Sequence, residues 1–143
     1  MSNILDTEQS FMIEVNNIIS NNWVILKSDY KFCYVDFLLI NRNNLFTLYT
    51  EYKKREYICN KSVYSSFFVS KKKLEMIKKY YKKCILIWDF RSKDNPDDFF
   101  YIHYDKSFLD KYECEYDRKN CSYRYKILKE DCLIGFDNYV KIM

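Results

Sequence analysis

The nine-residue run FCYVDFLLI (32–40) is apolar throughout except for one carboxylate, Asp36, and that charge restricts the chain more than any other feature. A strand apolar on both faces belongs inside a sheet that is covered on both sides. A carboxylate within such a strand costs several kcal/mol to bury unless it is hydrogen-bonded, paired or bound to a cation. NRNN (41–44) reads as a turn built from Asn, and LFTLYTEYK (45–53) as the strand that returns from it. Glu51 and Lys53 are two apart on that strand and project from one face. A hairpin turning at 41–44 sets 36–38 beside 48–53, so two carboxylates and one ammonium can converge at one end of the sheet. With a main-chain carbonyl, two carboxylates make a hard oxygen site suited to Mg2+ or Mn2+. Two plainer readings stay open: a locally satisfied Asp36, and Glu51 with Lys53 as an ordinary cross-strand charge pair.

Elements on either side complete a mixed α/β pattern. Residues 6–21 predict a helix capped at Asp6 or Thr7, with Phe11, Val15, Ile18 and Ile19 inward and Glu14 at the border of core and solvent. WVILKS (23–28) predicts a short strand. Residues 57–69 form a less regular aromatic stretch. Ser70 then offers a cap to a helix reaching about Lys82, with Leu74, Ile77, Tyr80 and Tyr81 inward and lysines outward. CILIWDF (84–90) and DDFFYIHY (97–104) predict a hairpin around Asn95-Pro96. SYRYKIL (122–128) and CLIGFDNYVKI (132–142) read as edge strands or a closing segment. The order is αβββαββ with a tail, giving a central sheet flanked by helices.

The chain of 143 residues fits one domain, 1–143, with a core over about 6–105 and a β-rich tail over 106–143. A single Gly and a single Pro, beside abundant Lys, Asn, Ile, Tyr and Phe, point to codon drift in an AT-rich genome, and leave turns to Asn, Asp and Ser. Six cysteines lack C-x-x-C spacing, and the one histidine, His103, does not complete a mixed site; buried or half-buried free thiols in a reducing compartment are expected. The first ten residues lack the pattern of a secretory signal, and no apolar run approaches the ~18 residues of a membrane span. These features predict an intracellular protein without membrane contact. Between Glu51 and Lys83, eleven basic and three acidic residues give +8, leaving −4 for the rest of the chain. Such a field suits a polyanion, although a solvated lysine face explains it equally well.

The order Asp36…Glu51-x-Lys53, with Glu14 on a preceding helix, resembles the PD-(D/E)XK (restriction-endonuclease-like) nuclease superfamily. FFVSKKKLEMIKKYYKKCILIWDF resembles the S-x-x-K helix and following strand of its small phage and viral members and of relatives of the archaeal Holliday junction resolvases, Ser70 and Lys73 matching S-x-x-K. The resemblance spans roughly residues 10–105. Val35 stands where the family has Pro, Tyr52 where an aliphatic residue is commoner, and Lys73 where many relatives have Gln.

The resemblance implies an αβββαβ core and Mg2+- or Mn2+-dependent hydrolysis of DNA phosphodiesters by a structure-specific or processing endonuclease. Asp36, Glu51 and the Tyr52 carbonyl would hold the metal, with Glu14 supporting the site directly or through water. Lys53 would position the attacking water, Lys73 with Ser70 would contact a flanking phosphate, and Lys54 and Arg55 would make general backbone contacts. DNA, including branched DNA, is the implied partner, and a symmetric dimer the arrangement expected of a resolvase-like relative. Two competing readings are a catalytically inactive nuclease-fold module that grips nucleic acid, and a scaffold whose lysine face is incidental.

Overall fold

Asn41 closes the first hairpin. Its side-chain Oδ1 accepts the N–H groups of Asn43 and Asn44, and Asn44 Oδ1 accepts that of Phe46. Leu45 takes the left-handed conformation there (φ 59°), which glycine would ordinarily supply. Asn therefore builds the turn, as the residue content predicts. In this computed structural model the described residues are 7–19, 21–27, 36–56, 66–80, 83–104 and 107–142.

The elements run α1 (Thr7–Ile18), β1 (Trp23–Lys27), β2 (Phe37–Asn41), β3 (Thr47–Lys54), β4 (Ser66–Ser70), α2 (Lys71–Tyr80), β5 (Cys84–Asp89), β6 (Phe99–Tyr104), α3 (Phe108–Lys111), β7 (Cys114–Asp117), β8 (Ser122–Leu128), a 3-10 turn at Lys129–Asp131, β9 (Leu133–Ile134) and α4 (Phe136–Val140). Six strands form a central sheet in the order β1-β2-β3-β5-β6-β9. β3 and β5 pair in parallel, and every other described pairing is antiparallel, so the sheet is mixed. The path from β3 to β5 crosses one face through β4 and α2. β4, β8 and β7 make a second, antiparallel sheet on that same side.

Strand alternation divides the core in two. Leu74 and Ile77 of α2 pack with Leu86, Trp88, Phe100 and Tyr104, together with Phe67, Val69 and Ile127 of the small sheet. On the opposite face Phe11 and Val15 of α1 pack with Phe37, Leu39, Leu48, Tyr52, Ile85, Ile87 and Phe99, and Tyr139 of α4 closes that side. β5 is buried along its whole length, as its continuous apolar run requires.

Several expectations change. The aromatic stretch 57–69 ends in a regular strand, β4, and its first nine residues lie outside the described set. β7 was not expected, and residues 136–140 form a helical turn after Gly135 (φ 105°) where an edge strand was one reading. Ile18 is 51% exposed; α1 ends there, and Ile19 packs on the core instead. Cys84 and Cys132 are buried free thiols, but Cys114 and Cys121 are exposed, because β7 and the turn after it lie at the outer edge of the small sheet. Asp6, Cys33, Cys59, Lys61, Tyr81, Lys82 and the first half of FCYVDFLLI lie outside the described residues, as does the Tyr80 side chain. No described helix is long and apolar enough to cross a membrane.

Candidate metal and phosphodiester site

β3 positions the site, because its alternate residues serve opposite layers. Tyr49, Glu51 and Lys53 face the α2 layer, while Leu48, Thr50 and Tyr52 face the α1 layer. Asp36 immediately precedes β2, which pairs with β3 through Phe37 and Thr50. Its own N–H donates to the Thr50 carbonyl (2.8 Å), and its Oδ2 accepts the Tyr52 N–H (2.6 Å). Two bonds to β3 thus fix Asp36 on either side of Glu51.

Glu51 is 3% exposed. Lys73 of α2 donates to its Oε1 at 2.5 Å, and the Lys53 ammonium lies 3.9 Å from the same oxygen. Oε2 is buried and has no hydrogen-bond partner. Burial, and then the negative charge of Asp36, hold the Glu51 carboxyl above its ordinary value; Lys73 and Lys53 offset this only in part. Burial lowers the Lys53 pKa, against the pull of Glu51. The pocket therefore carries two acids and two ammonium groups, with one carboxylate oxygen left without a partner.

Among the described residues no group of three or more His, Cys, Asp or Glu side chains gathers to hold a metal. The donor set is narrower: Asp36, Glu51 and adjoining main chain. Mg2+ commonly takes one or two carboxylates and fills its remaining positions with water and substrate phosphate, so this set and the unpartnered Glu51 Oε2 fit such an ion.

The other predicted residues have different neighbours. Glu14 lies on the opposite layer, where its two oxygens accept from Arg91 Nη1 (2.9 Å) and Nη2 (2.7 Å). Lys54 faces that layer too, donating to the Arg91 carbonyl with its Nζ 3.8 Å from Asp89 Oδ1. Arg55 is exposed, its Nη1 on the Lys54 carbonyl. Ser70 is exposed and its Oγ accepts the Lys73 N–H at 3.4 Å, a long capping bond. Lys73, expected on a flanking phosphate, contacts Glu51.

Sequence reasoning missed Asp89 and Arg91. Asp89 is 2% exposed and accepts from Tyr52 Oη (2.6 Å) and from the Arg91 backbone and guanidinium. Burial pushes its carboxyl upward, but the bonds from Arg91 and Tyr52 more than reverse this and hold it below the ordinary 3.8. The signal was present: Asp89 is a lone carboxylate in the apolar run CILIWDF, as Asp36 is in its own run. Tyr52 joins the two acids across the sheet, its N–H on Asp36 and its hydroxyl on Asp89.

No family model matches the chain, and no curated protein matches it. Among solved structures it is similar to Hjc, a Holliday junction resolvase of the archaeal hyperthermophile Archaeoglobus fulgidus, with a TM-score of 0.52 and 11% identity over 87% of this chain and 93% of that one. At that identity the likeness concerns the fold, and the mixed sheet flanked by helices is that of a restriction-endonuclease-like nuclease.

Proposed function

We propose that this chain is a divalent-metal-dependent deoxyribonuclease that hydrolyses DNA phosphodiesters, with branched DNA as its substrate class. The observation that carries the reading is Glu51, a buried carboxylate with one unpartnered oxygen, set beside Asp36 and two lysines in a resolvase-like fold.

Asp36, Glu51 and the Tyr52 carbonyl would hold Mg2+ or Mn2+. A bound ion would supply Lewis acidity to the scissile phosphate and lower the pKa of a water. Lys53 shares its strand face with Glu51, so its ammonium orients the attacking water and stabilises charge building on the phosphate oxygens. Lys73 is released from Glu51 as the ion takes over that carboxylate, and is then free to meet a flanking phosphate, with Ser70 capping its helix. Glu14 acts at a distance, through Arg91, Asp89 and Tyr52 to the N–H that fixes Asp36. Lys54 is engaged with the Arg91 carbonyl, leaving Arg55 as the better general backbone contact. Cutting both strands of a junction needs two sites, which an isologous dimer of this chain supplies.

One contact favours a non-cleaving nucleic-acid-binding module instead: the Lys73 ammonium already neutralises the carboxylate a metal would use. Incubation of supercoiled, linear and branched DNA with Mg2+, Mn2+ or EDTA separates the two. Metal-dependent cutting, lost in both Asp36→Asn and Lys53→Ala, supports the nuclease. Salt-sensitive retention of DNA without cutting by the folded wild type overturns it in favour of the module.

A further inference from the structure

We infer that a pocket beside Lys53 receives an unpaired nucleobase of the DNA strand being cut, an inference that rests on the nuclease reading for its substrate. The pocket is about 270 Å3 and is lined by Arg55, Ser66, Phe67, Phe68, Trp88 and Phe90. Its position follows from strand register. Lys53 on β3 and Trp88 on β5 are paired residues in the parallel ladder, and the two strands lie about 4.8 Å apart. Glu51, Lys53 and Arg55 project from one face of β3, the face that Trp88 and Phe90 of β5 also serve. A phosphate held at Lys53 therefore has this pocket as its immediate neighbour.

The lining suits a flat heteroaromatic ring better than a sugar, a phosphate or an aliphatic chain. Phe67 stacks on Trp88 with ring centroids 5.0 Å apart and an interplanar angle of 15°, and Phe90 lies 5.6 Å from Phe67. The guanidinium of Arg55 is exposed at the rim, where it can stack on one side of a base and offer donors to its edge. The Ser66 hydroxyl adds one polar group within the wall. The volume falls below the roughly 300–1,000 Å3 of pockets that enclose drug-sized ligands, which suits one base rather than a base pair. Stacking on aromatic walls tolerates every base, so the pocket recognises the unpaired state and not the sequence. Duplex DNA keeps its bases stacked inside, so the pocket biases the enzyme toward branch points, flaps and bulges, where one base is already free.

The test uses two fluorescein-labelled duplexes that differ only at a single-nucleotide bulge, one carrying thymine and the other an abasic residue. Backbone charge is identical, so phosphate contacts cancel. Binding is measured by anisotropy in Ca2+, and cutting separately in Mg2+. Thymine is expected to bind about ten-fold more tightly than the abasic duplex, since base–aromatic stacking contributes about 1–3 kcal/mol per base. Arg55→Ala narrows that ratio, and Arg55→Lys, which keeps the charge and loses the plane, narrows it as well. The Trp88→Phe variant, confirmed as folded by circular dichroism, retains part of the preference. Equal affinity of wild type for the two bulges overturns the pocket, whether or not the DNA is cut. A thymine preference without cutting in Mg2+ supports the pocket and removes the nuclease reading. Failure to bind either duplex overturns the pocket as a DNA site.

Discussion

The Lys73 ammonium lies 2.5 Å from Glu51 Oε1, while that of Lys53, on the same strand as Glu51, is 3.9 Å from the same oxygen. A helix cation and not the neighbouring strand residue therefore neutralises the buried acid. Lys73→Met is expected to destabilise the fold by about 3 kcal/mol, because breaking a buried pair leaves the remaining charge uncompensated. Glu51→Gln in the same background should recover part of that loss. Urea denaturation in EDTA checks both, and an unaltered midpoint for Lys73→Met would show that the pair contributes nothing.

Tyr52 divides cleanly by atom. Its N–H holds Asp36 and its hydroxyl holds Asp89, so Tyr52→Phe removes the second bond only. A hydrogen bond to a charged group contributes about 1.5–3 kcal/mol, and Tyr52→Phe should lose stability in that range. Metal-dependent cutting by the folded variant should stay close to wild type. A loss of cutting as deep as in Asp36→Asn would mean that the hydroxyl, and not the backbone, organises the site.

Asp89 predicts an acid limit on stability. Its folded pKa lies below the unfolded 3.8, so folding favours the ionised form. The contribution is complete above pH 3.8 and is lost as the pH falls through the depressed folded value. Asp89→Asn should lower stability at neutral pH and flatten the acid limb below pH 3.8. Urea midpoints measured from pH 7 down to pH 2.5 on both proteins test this, and parallel acid limbs would exclude Asp89 as the cause.

Residues forming the hairpin and the central strands were legible because each carries its own period or cap. Asn41 and Asn44 mark the turn, CILIWD marks a doubly covered strand, and Leu74 with Ile77 marks the inward face of α2. β7 was not legible: CEYD is short, polar and at a sheet edge, where no burial imposes alternation. α4 is a single turn whose period is too short to read, and the packing of Tyr139 decides its conformation. Asp36, Glu51 and Lys53 could be grouped from the hairpin alone. The bond from Lys73 to Glu51 spans 22 residues and depends on how the α2 layer docks. The pairing of Glu14 with Arg91 spans 77 and crosses from helix to sheet end, beyond the reach of any local pattern.

Glu14 provides a graded test of support from the far layer. Its carboxylate fixes Arg91, which is held over Phe99 and Phe136 with its guanidinium carbon 5.0 and 4.4 Å from their ring centroids. Glu14→Gln keeps the shape and weakens the charge, so cutting should fall by about ten-fold, as for partners that orient a ligand without touching the metal. Initial rates on branched DNA in Mg2+ measure it. Complete loss of cutting in a folded variant would mean that Glu14 contacts the reacting groups itself.

Metal binding should be visible without catalysis. A cation that binds only the folded chain stabilises it by about 2.7 kcal/mol at one hundred times its dissociation constant. Mn2+ should therefore raise the unfolding temperature of wild type, and the rise should vanish in Asp36→Asn and in Glu51→Gln. Lys73→Met sharpens the argument, because it removes the internal competitor for Glu51 Oε1. In that variant Mn2+ should stabilise more than in wild type and restore much of the stability the substitution removed. Calorimetric scans over a Mn2+ titration read all four proteins on one scale. An equal rise in wild type and Glu51→Gln would locate the ion elsewhere, and with it the chemistry assigned to Asp36, Glu51 and Lys53.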